Sequence, residues 1–335
     1  MKYFAMQRLQ ALCAEKGVLC VGLDTDPSYL PPEVLRLYDS PAEAVLAFNR
    51  AVIESTAPHA VCYKVQAAYY EAMGLAGMRT YAETLRAVRA AGFPVIADVK
   101  RGDIADTASA YARAHFSGDF EADLITLNPY MGFDTLEPFL AWAEKEGKGA
   151  FVLLRTSNPG SADIERLALD RCFLPDSGGS AHTLRVLDAV GRGLCARMQA
   201  FAAEDSSPES GGAPSGLCAP FGAVVGCTDA EDARALRKRY PSLFFLIPGF
   251  GAQGGTAAVA AELLAGAGGV VNSSRGILCA WKKDAALARK AGTGSLTLAD
   301  IAGSAGQAAF RSSAELRAAV RARGSCPENG PQAEP

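Results

Sequence analysis

The sequence is poor in metal-ligand patterns: its three histidines, His59, His115 and His182, lie far apart, and none of its nine cysteines forms a Cys-x-x-Cys pair. Zinc sites need ligands at short, recurrent spacings, so no metal site is expected and each histidine reads as structural. An odd number of scattered cysteines suits reduced thiols better than a disulfide framework, which points to the cytoplasm. No extended basic run interrupts a chain of formal charge −3 and pI near 5.8. Nucleic-acid binders neutralise many phosphates with clustered Lys and Arg, so no nucleic-acid partner is expected. No apolar run reaches the eighteen or so residues of a membrane span. The opening MKYFAMQRLQALCAEKG mixes charge into its apolar positions, unlike a signal peptide, and reads as an amphipathic first helix.

What the chain has instead is apolar material in short, spaced runs. Hydrophobic residues make up 49% of the 335 and mean hydropathy is +0.08, enough for a large core and incompatible with disorder throughout. β-Branched runs alternate with Ala- and Leu-rich helical stretches, the pattern of βα units around a parallel sheet. Strands are expected at Val18–Leu23, Ala60–Val65, Pro94–Val99, Asp123–Leu127, Ala150–Leu154, Phe221–Val225, Phe244–Ile247 and Gly269–Asn272. Eight such repeats, several almost continuously apolar, predict an α/β fold, a (β/α)8 TIM barrel covered on both faces. Residues 1–335 then form a single barrel domain with an insertion over about 160–220, between strands five and six. Its Ser-, Gly- and Pro-rich part, Glu204–Gly216, should be mobile. A C-terminal helical extension after Leu298 should pack on the barrel, and the final GSCPENGPQAEP has the composition of a frayed tail.

The sharpest chemical signal is Ala97-Asp98-Val99-Lys100-Arg101-Gly102-Asp103-Ile104-Ala105-Asp106-Thr107, running off the end of the third strand. Residues two apart in a strand share a face, so Asp98 and Lys100 project together, roughly 7 Å apart along the chain. Asp103 follows in a loop at the C-terminal face, where barrels of this kind place their active sites. The same residues also read as a structural ion pair with Asp103 capping the next helix. Two further charges end neighbouring strands: Asp24 in CVGLD and Lys64 in CYKVQ. Charges are seldom buried unpaired, so two acids and two lysines converging on one barrel end would form an alternating network. Lys64 alone would read as a solubilising strand-end residue.

After the seventh strand comes Ile247-Pro248-Gly249-Phe250-Gly251-Ala252-Gln253-Gly254-Gly255, and after the eighth Asn272-Ser273-Ser274-Arg275-Gly276. Glycines let backbone amides approach an anion, a helix starting near Thr256 would aim its positive end at it, and Arg275 supplies a forked donor. The loops after strands seven and eight are the habitual phosphate site of this fold. The Gly-rich segment by itself would also serve as a tight turn.

These segments resemble a known family. DVKRGDIADT is similar to the Asp-x-Lys-x-x-Asp-Ile-x-x-Thr signature of orotidine 5'-phosphate decarboxylases, and PGFGAQGG with SSRG resembles their phosphate-gripping segments. The resemblance runs from VGLDTDP through YKVQ and RTSNPGS to Arg275. It implies that Lys100 donates a proton to C6 of the pyrimidine, that Asp98 faces the departing carboxylate, that Lys64 holds Asp98 and the ribose, and that Asp24 binds a ribose hydroxyl. It further implies that Asp103, with Ile104 and Thr107, completes the site of a partner subunit in a homodimer. Ser157 would contact the pyrimidine amide, and Gln253 with Gly254 and Arg275 would take the phosphate. Orotidine 5'-phosphate and UMP are the implied ligands, with no cofactor and no metal. Length, the Asn128–Phe133 segment and the insertion after Pro159 set the chain apart from the shorter members and resemble the longer branch; they leave the loop that closes over the pyrimidine unassigned.

The chemistry suits the residues. Loss of carbon dioxide from C6 leaves a lone pair in the ring plane, which π-delocalisation does not absorb, so positive charge must be supplied where negative charge develops. Two rival readings use the same segments. A sugar-phosphate lyase or decarboxylase of the same barrel group would pair the Asp-x-Lys-x-x-Asp set with magnesium. A non-catalytic nucleotide-binding barrel would bind UMP without consuming substrate.

Overall fold

The structure, a computed structural model, describes residues 4–169, 184–205 and 219–324. Eight strands, β1 (Leu19–Gly22), β2 (Cys62–Gln66), β3 (Val95–Arg101), β4 (Leu124–Leu127), β5 (Gly149–Arg155), β6 (Phe221–Val225), β7 (Phe245–Ile247) and β8 (Gly269–Ser273), fall on the eight expected runs. They close into a barrel in sequence order, β8 pairing with β1, and all pairs are parallel. The apolar runs are continuous because both faces are covered. Cys20, Cys62, Ile96, Leu124, Phe151, Val224, Leu246 and Val270 fill the interior, while alternate residues such as Val21, Val65, Ala97 and Ile125 face the surrounding helices.

The helix Ala5–Lys16 packs Met6 and Leu9 onto the interior cluster and closes one end of the barrel. Burying each of those side chains stabilises the fold by roughly 1.5–3 kcal/mol. The other end, where the strands deliver their C-terminal residues, stays open. The helix Leu298–Gly324 packs against the helices Pro41–Thr56 and Ala257–Leu263, as the extension was expected to do. Close approach there requires Gly306, since a Cβ would stand 2.7 Å from the Ser55 carbonyl oxygen. Between β5 and β6 lie a short turn of helix at Pro159–Asp163, an antiparallel ribbon of Ala168–Leu169 with Leu184–Arg185, and the helix Val186–Asp205. Most of Glu204–Gly216 and all but the first residue of the C-terminal GSCPENGPQAEP lie outside the described residues. Among the described residues no helix is long and apolar enough to cross a membrane.

One strand departs from the regular geometry expected of it. β3 pairs with β4 at Ile96–Leu124 and Ala97–Ile125, then resumes at Arg101–Leu127, so Asp98, Val99 and Lys100 stand opposite Thr126 alone. Lys100 takes a left-handed backbone at φ 45°. The extra residues of this bulge, which the β4 partner dictates, change where Lys100 points.

Candidate active site

The open end holds a cavity of about 640 Å³ whose wall includes Asp24, Lys64, Asp98, Lys100, Ser157, Gln253 and Arg275. Seven of the eleven residues singled out in the sequence are thus brought together from β1, β2, β3 and the loops after β5, β7 and β8.

Four of them form a continuous chain of charge. The Lys64 Nζ donates to Asp24 at 2.8 Å and to Asp98 at 3.0 Å, and the Lys100 Nζ donates to the other oxygen of Asp98 at 2.6 Å. The Lys64 and Asp98 side chains are only 5% and 10% exposed, whereas that of Lys100 is 45% exposed toward the cavity. Burial by itself lowers the pKa of Lys64, but Asp24 and Asp98 outweigh it and hold the ammonium well above its ordinary range. Burial likewise raises the pKa of Asp98, yet Lys64 and Lys100 bring it down to about 2. Both groups are therefore charged at neutral pH, and the low local dielectric that makes unpaired charge costly makes this paired arrangement rigid.

Three neighbours that sequence reasoning passed over complete this network. Gln66 donates from Nε2 to Asp98 at 3.0 Å, Thr126 donates from Oγ1 to Asp98 at 3.0 Å, and Ser274 donates from Oγ to Asp24 at 2.8 Å. Gln66 was within reach of the period-two argument, because it lies two residues beyond Lys64 on the same strand. Ser274 stands beside Arg275, and its approach depends on Gly22, where a Cβ would fall 1.9 Å from the serine Oγ. For Thr126 the only signal is a polar residue inside the apolar run LITL.

The opposite wall joins two loops. Ser157 Oγ donates to Gln253 Oε1 at 2.7 Å, linking the loop after β5 to the loop after β7. The first loop is tied down by Glu165, which accepts from the backbone amide and the hydroxyl of Thr156. Arg155, Arg166 and Arg185 all pair with Asp232 and fasten the start of the insertion to the helix Ala230–Arg239. In the Gly-rich loop the amides of Gly251, Ala252, Gly254 and Gly255 donate to carbonyls of that same loop. The turn is closed by these bonds, and Gln253 and the exposed Arg275 line the cavity beside it. Thr256 caps the helix Ala257–Leu263 through Val259, where a helix start was expected.

Four singled-out residues do not line this cavity. Gly254 sits in the turn at φ 88° with its amide bonded to Gly251. Asp103, Ile104 and Thr107 follow β3 on the outside; Asp103 accepts from the Ile104 amide at 2.8 Å, and Ile104 is 54% exposed. Asp103 does not cap the helix Ala105–Phe116, whose cap position is Ile104. His115 is buried beside Arg101, and His59 touches the ring of Phe310. His182 lies outside the described residues. Among the described residues no three His, Cys, Asp or Glu side chains are grouped to hold a metal ion.

The family model described as Orotidine 5'-phosphate decarboxylase / HUMPS family matches residues 17–172. The orotidine 5'-phosphate decarboxylase of Clostridium novyi is 47% identical over 281 residues, 83% of this chain and 90% of the relative. That of Clostridium botulinum is 49% identical over 272 residues, 80% of this chain and 87% of the relative. Among solved structures, the OMP decarboxylase of Leishmania donovani superposes with a TM-score of 0.63 at 29% identity, covering 93% of this chain and 97% of that one.

Proposed function

The chain belongs to the orotidine 5'-phosphate decarboxylase family, and from that premise we infer that it is a carboxy-lyase of UMP biosynthesis, converting orotidine 5'-phosphate to UMP and carbon dioxide. The observation that carries this reading is the chain Asp24–Lys64–Asp98–Lys100, with the Lys100 ammonium at its cavity-facing end.

In the proposed mechanism the bond from C6 to the carboxylate breaks and its electron pair stays on C6. Lys100, preorganised by Asp98, stabilises that pair and then passes a proton from Nζ to C6. Asp98 faces the carboxylate that leaves. Lys64 keeps Asp98 charged and in place and reaches the ribose, while Asp24 accepts from a ribose hydroxyl. Ser157 meets the pyrimidine amide, and Gln253 and Arg275 hold the phosphate. Binding energy gained at the phosphate, far from C6, presses the base against the charged wall and assists the chemical step. No metal and no cofactor enters this scheme. Lys64 and Lys100 occupy the oxygens of Asp98 that a cation would need, which favours it over the magnesium-dependent rival.

The working form in this reading is a homodimer in the cytoplasm, with Asp103, Ile104 and Thr107 reaching the partner's cavity. Support comes from the exposure of Ile104 and Thr107 just beyond β3 and from the neighbouring Tyr130 and Met131, 84% and 53% exposed, apolar surface of the kind a subunit interface covers. The activity is tested by adding purified protein to orotidine 5'-phosphate in excess EDTA. Loss of substrate absorbance with equal release of UMP and carbon dioxide is expected; no turnover, or turnover abolished by the chelator, refutes the assignment.

A further inference from the structure

We propose that Thr126 is a positioning residue of the reaction: its hydroxyl latches the bulged backbone at Lys100 to the carboxylate of Asp98. This rests on the decarboxylase reading of the site. The β3–β4 register breaks at Val99 and Lys100, and there the Thr126 Oγ1 accepts from the Val99 amide at 3.0 Å and from the Lys100 amide at 2.9 Å. Its one proton goes to Asp98 Oδ1 at 3.0 Å, the same oxygen that pairs with Lys100.

A hydroxyl has one proton and two lone pairs, and here all three are used. The two amides fix where the proton points, and the proton in turn fixes the plane of the carboxylate. Asp98 then receives four donors, Thr126 and Lys100 on one oxygen and Lys64 and Gln66 on the other, so it has no freedom to rotate. Lys100 is held at φ 45°, a backbone region that non-glycine residues leave unless surroundings enforce it. The Thr126 hydroxyl supplies such a restraint at the Lys100 amide, on a residue that is 1% exposed. Thr126 lies in the cavity wall, but its hydroxyl is fully engaged with Asp98, Val99 and Lys100 and acts on the substrate through them.

The test compares full-length wild type with Thr126→Val, which keeps the shape and removes the hydroxyl, and Thr126→Ser, which keeps the hydroxyl. Thr126→Val is expected to lower kcat by about 10²-fold, the usual consequence of an ångström-scale misplacement, with KM and UMP affinity within about threefold of wild type. Thr126→Ser should recover kcat to within about threefold of wild type. A Val variant with wild-type kcat, a Ser variant no better than Val, or a loss of UMP affinity that matches the loss of kcat each overturns the latch. Should Val fail to fold, Thr126→Ala against Thr126→Ser makes the same comparison. Wild type that consumes no orotidine 5'-phosphate sinks the decarboxylase reading, and the latch is then decided by a crystal structure of the hydroxyl-free variant. Lys100 should relax to negative φ and its Nζ should leave Asp98; a left-handed Lys100 with its ion pair intact overturns the proposal.

Discussion

Lys100 reaches Asp98 across 2.6 Å although one residue separates them and the backbone of Lys100 is left-handed. The bulge turns the lysine toward the cavity while the acid stays behind it, so a partly exposed cation stands in front of a buried anion. That order, cation outward and acid inward, is what a proton donor to a developing carbanion needs.

Removing the cation should therefore separate chemistry from binding. Lys100→Ala is expected to lower kcat by on the order of 10⁴-fold or more, since general-acid and electrostatic contributions are lost together. UMP binding and the thermal unfolding midpoint should change little, because the side chain is 45% exposed. Isothermal titration with UMP beside the turnover assay checks both halves; residual activity within tenfold of wild type would remove Lys100 from the role of proton donor.

Lys64 differs because it is buried between two carboxylates. Lys64→Met removes the cation between Asp24 and Asp98, leaving Asp98 only Lys100, and is expected to destabilise the protein by about 3–5 kcal/mol at pH 7. The sign of the pH dependence follows from Asp98. In wild type its pKa, about 2 against an ordinary 3.8, contributes stability that is present above pH 3.8 and lost as pH falls through about 2. Without Lys64 that depression shrinks or reverses, so the gap between variant and wild type should narrow as pH falls toward 4. Urea unfolding at pH 7 and pH 4.5 measures it, and a gap that widens on acidification contradicts the network.

The strands and the four charges were legible because each is a local signal. A β-branched run between helical stretches marks a strand wherever it pairs, and Asp24 or Lys64 at the end of such a run must find a partner or pay for desolvation. The bulge was not legible, since nothing within VIADVKR says that β4 will skip two residues at Thr126. The use of Gly251, Gly254 and Gly255 was not legible for a related reason: glycine in a loop announces unusual backbone, but whether its amide faces a ligand or its own turn depends on where the chain closes. Gln66 was missed for want of extending the period-two argument one step beyond Lys64.

Arg275 is exposed in the cavity wall, so Arg275→Ala should leave stability unchanged. If phosphate binding assists the chemical step, KM should rise and kcat should fall together, each by roughly tenfold or more. A rise in KM alone would reduce Arg275 to an anchor.

His115 offers a pH effect independent of catalysis. It is buried, accepts from Arg101 at 3.2 Å, and burial with that guanidinium pushes its pKa from 6.5 down to about 4. Between those values the unfolded chain binds a proton that the folded one refuses, so stability falls as pH drops from 6.5 to 4. A shift of this size corresponds to roughly 3–4 kcal/mol. His115→Gln keeps an acceptor for Arg101 but does not titrate, and its stability should decline less than wild type's over that window in denaturant melts. Parallel declines would mean that the imidazole is protonated in the folded protein.

In the proposed homodimer, whether Asp103 serves its own cavity or its partner's can be decided by mixing two inactive proteins. Suppose Lys100→Ala and Asp103→Ala are each inactive and their subunits exchange freely, giving half mixed dimers. If Asp103 acts across the interface, one site of each mixed dimer carries both lesions. The other combines the intact Lys100 of one subunit with the intact Asp103 of its partner. About a quarter of all sites are then whole, and activity should climb from near zero toward about a quarter of wild type as exchange proceeds. If Asp103 acts within its own subunit, every site keeps one lesion and mixing restores nothing. The exposed loop that carries Asp103 and Ile104 away from their own cavity favours the first outcome.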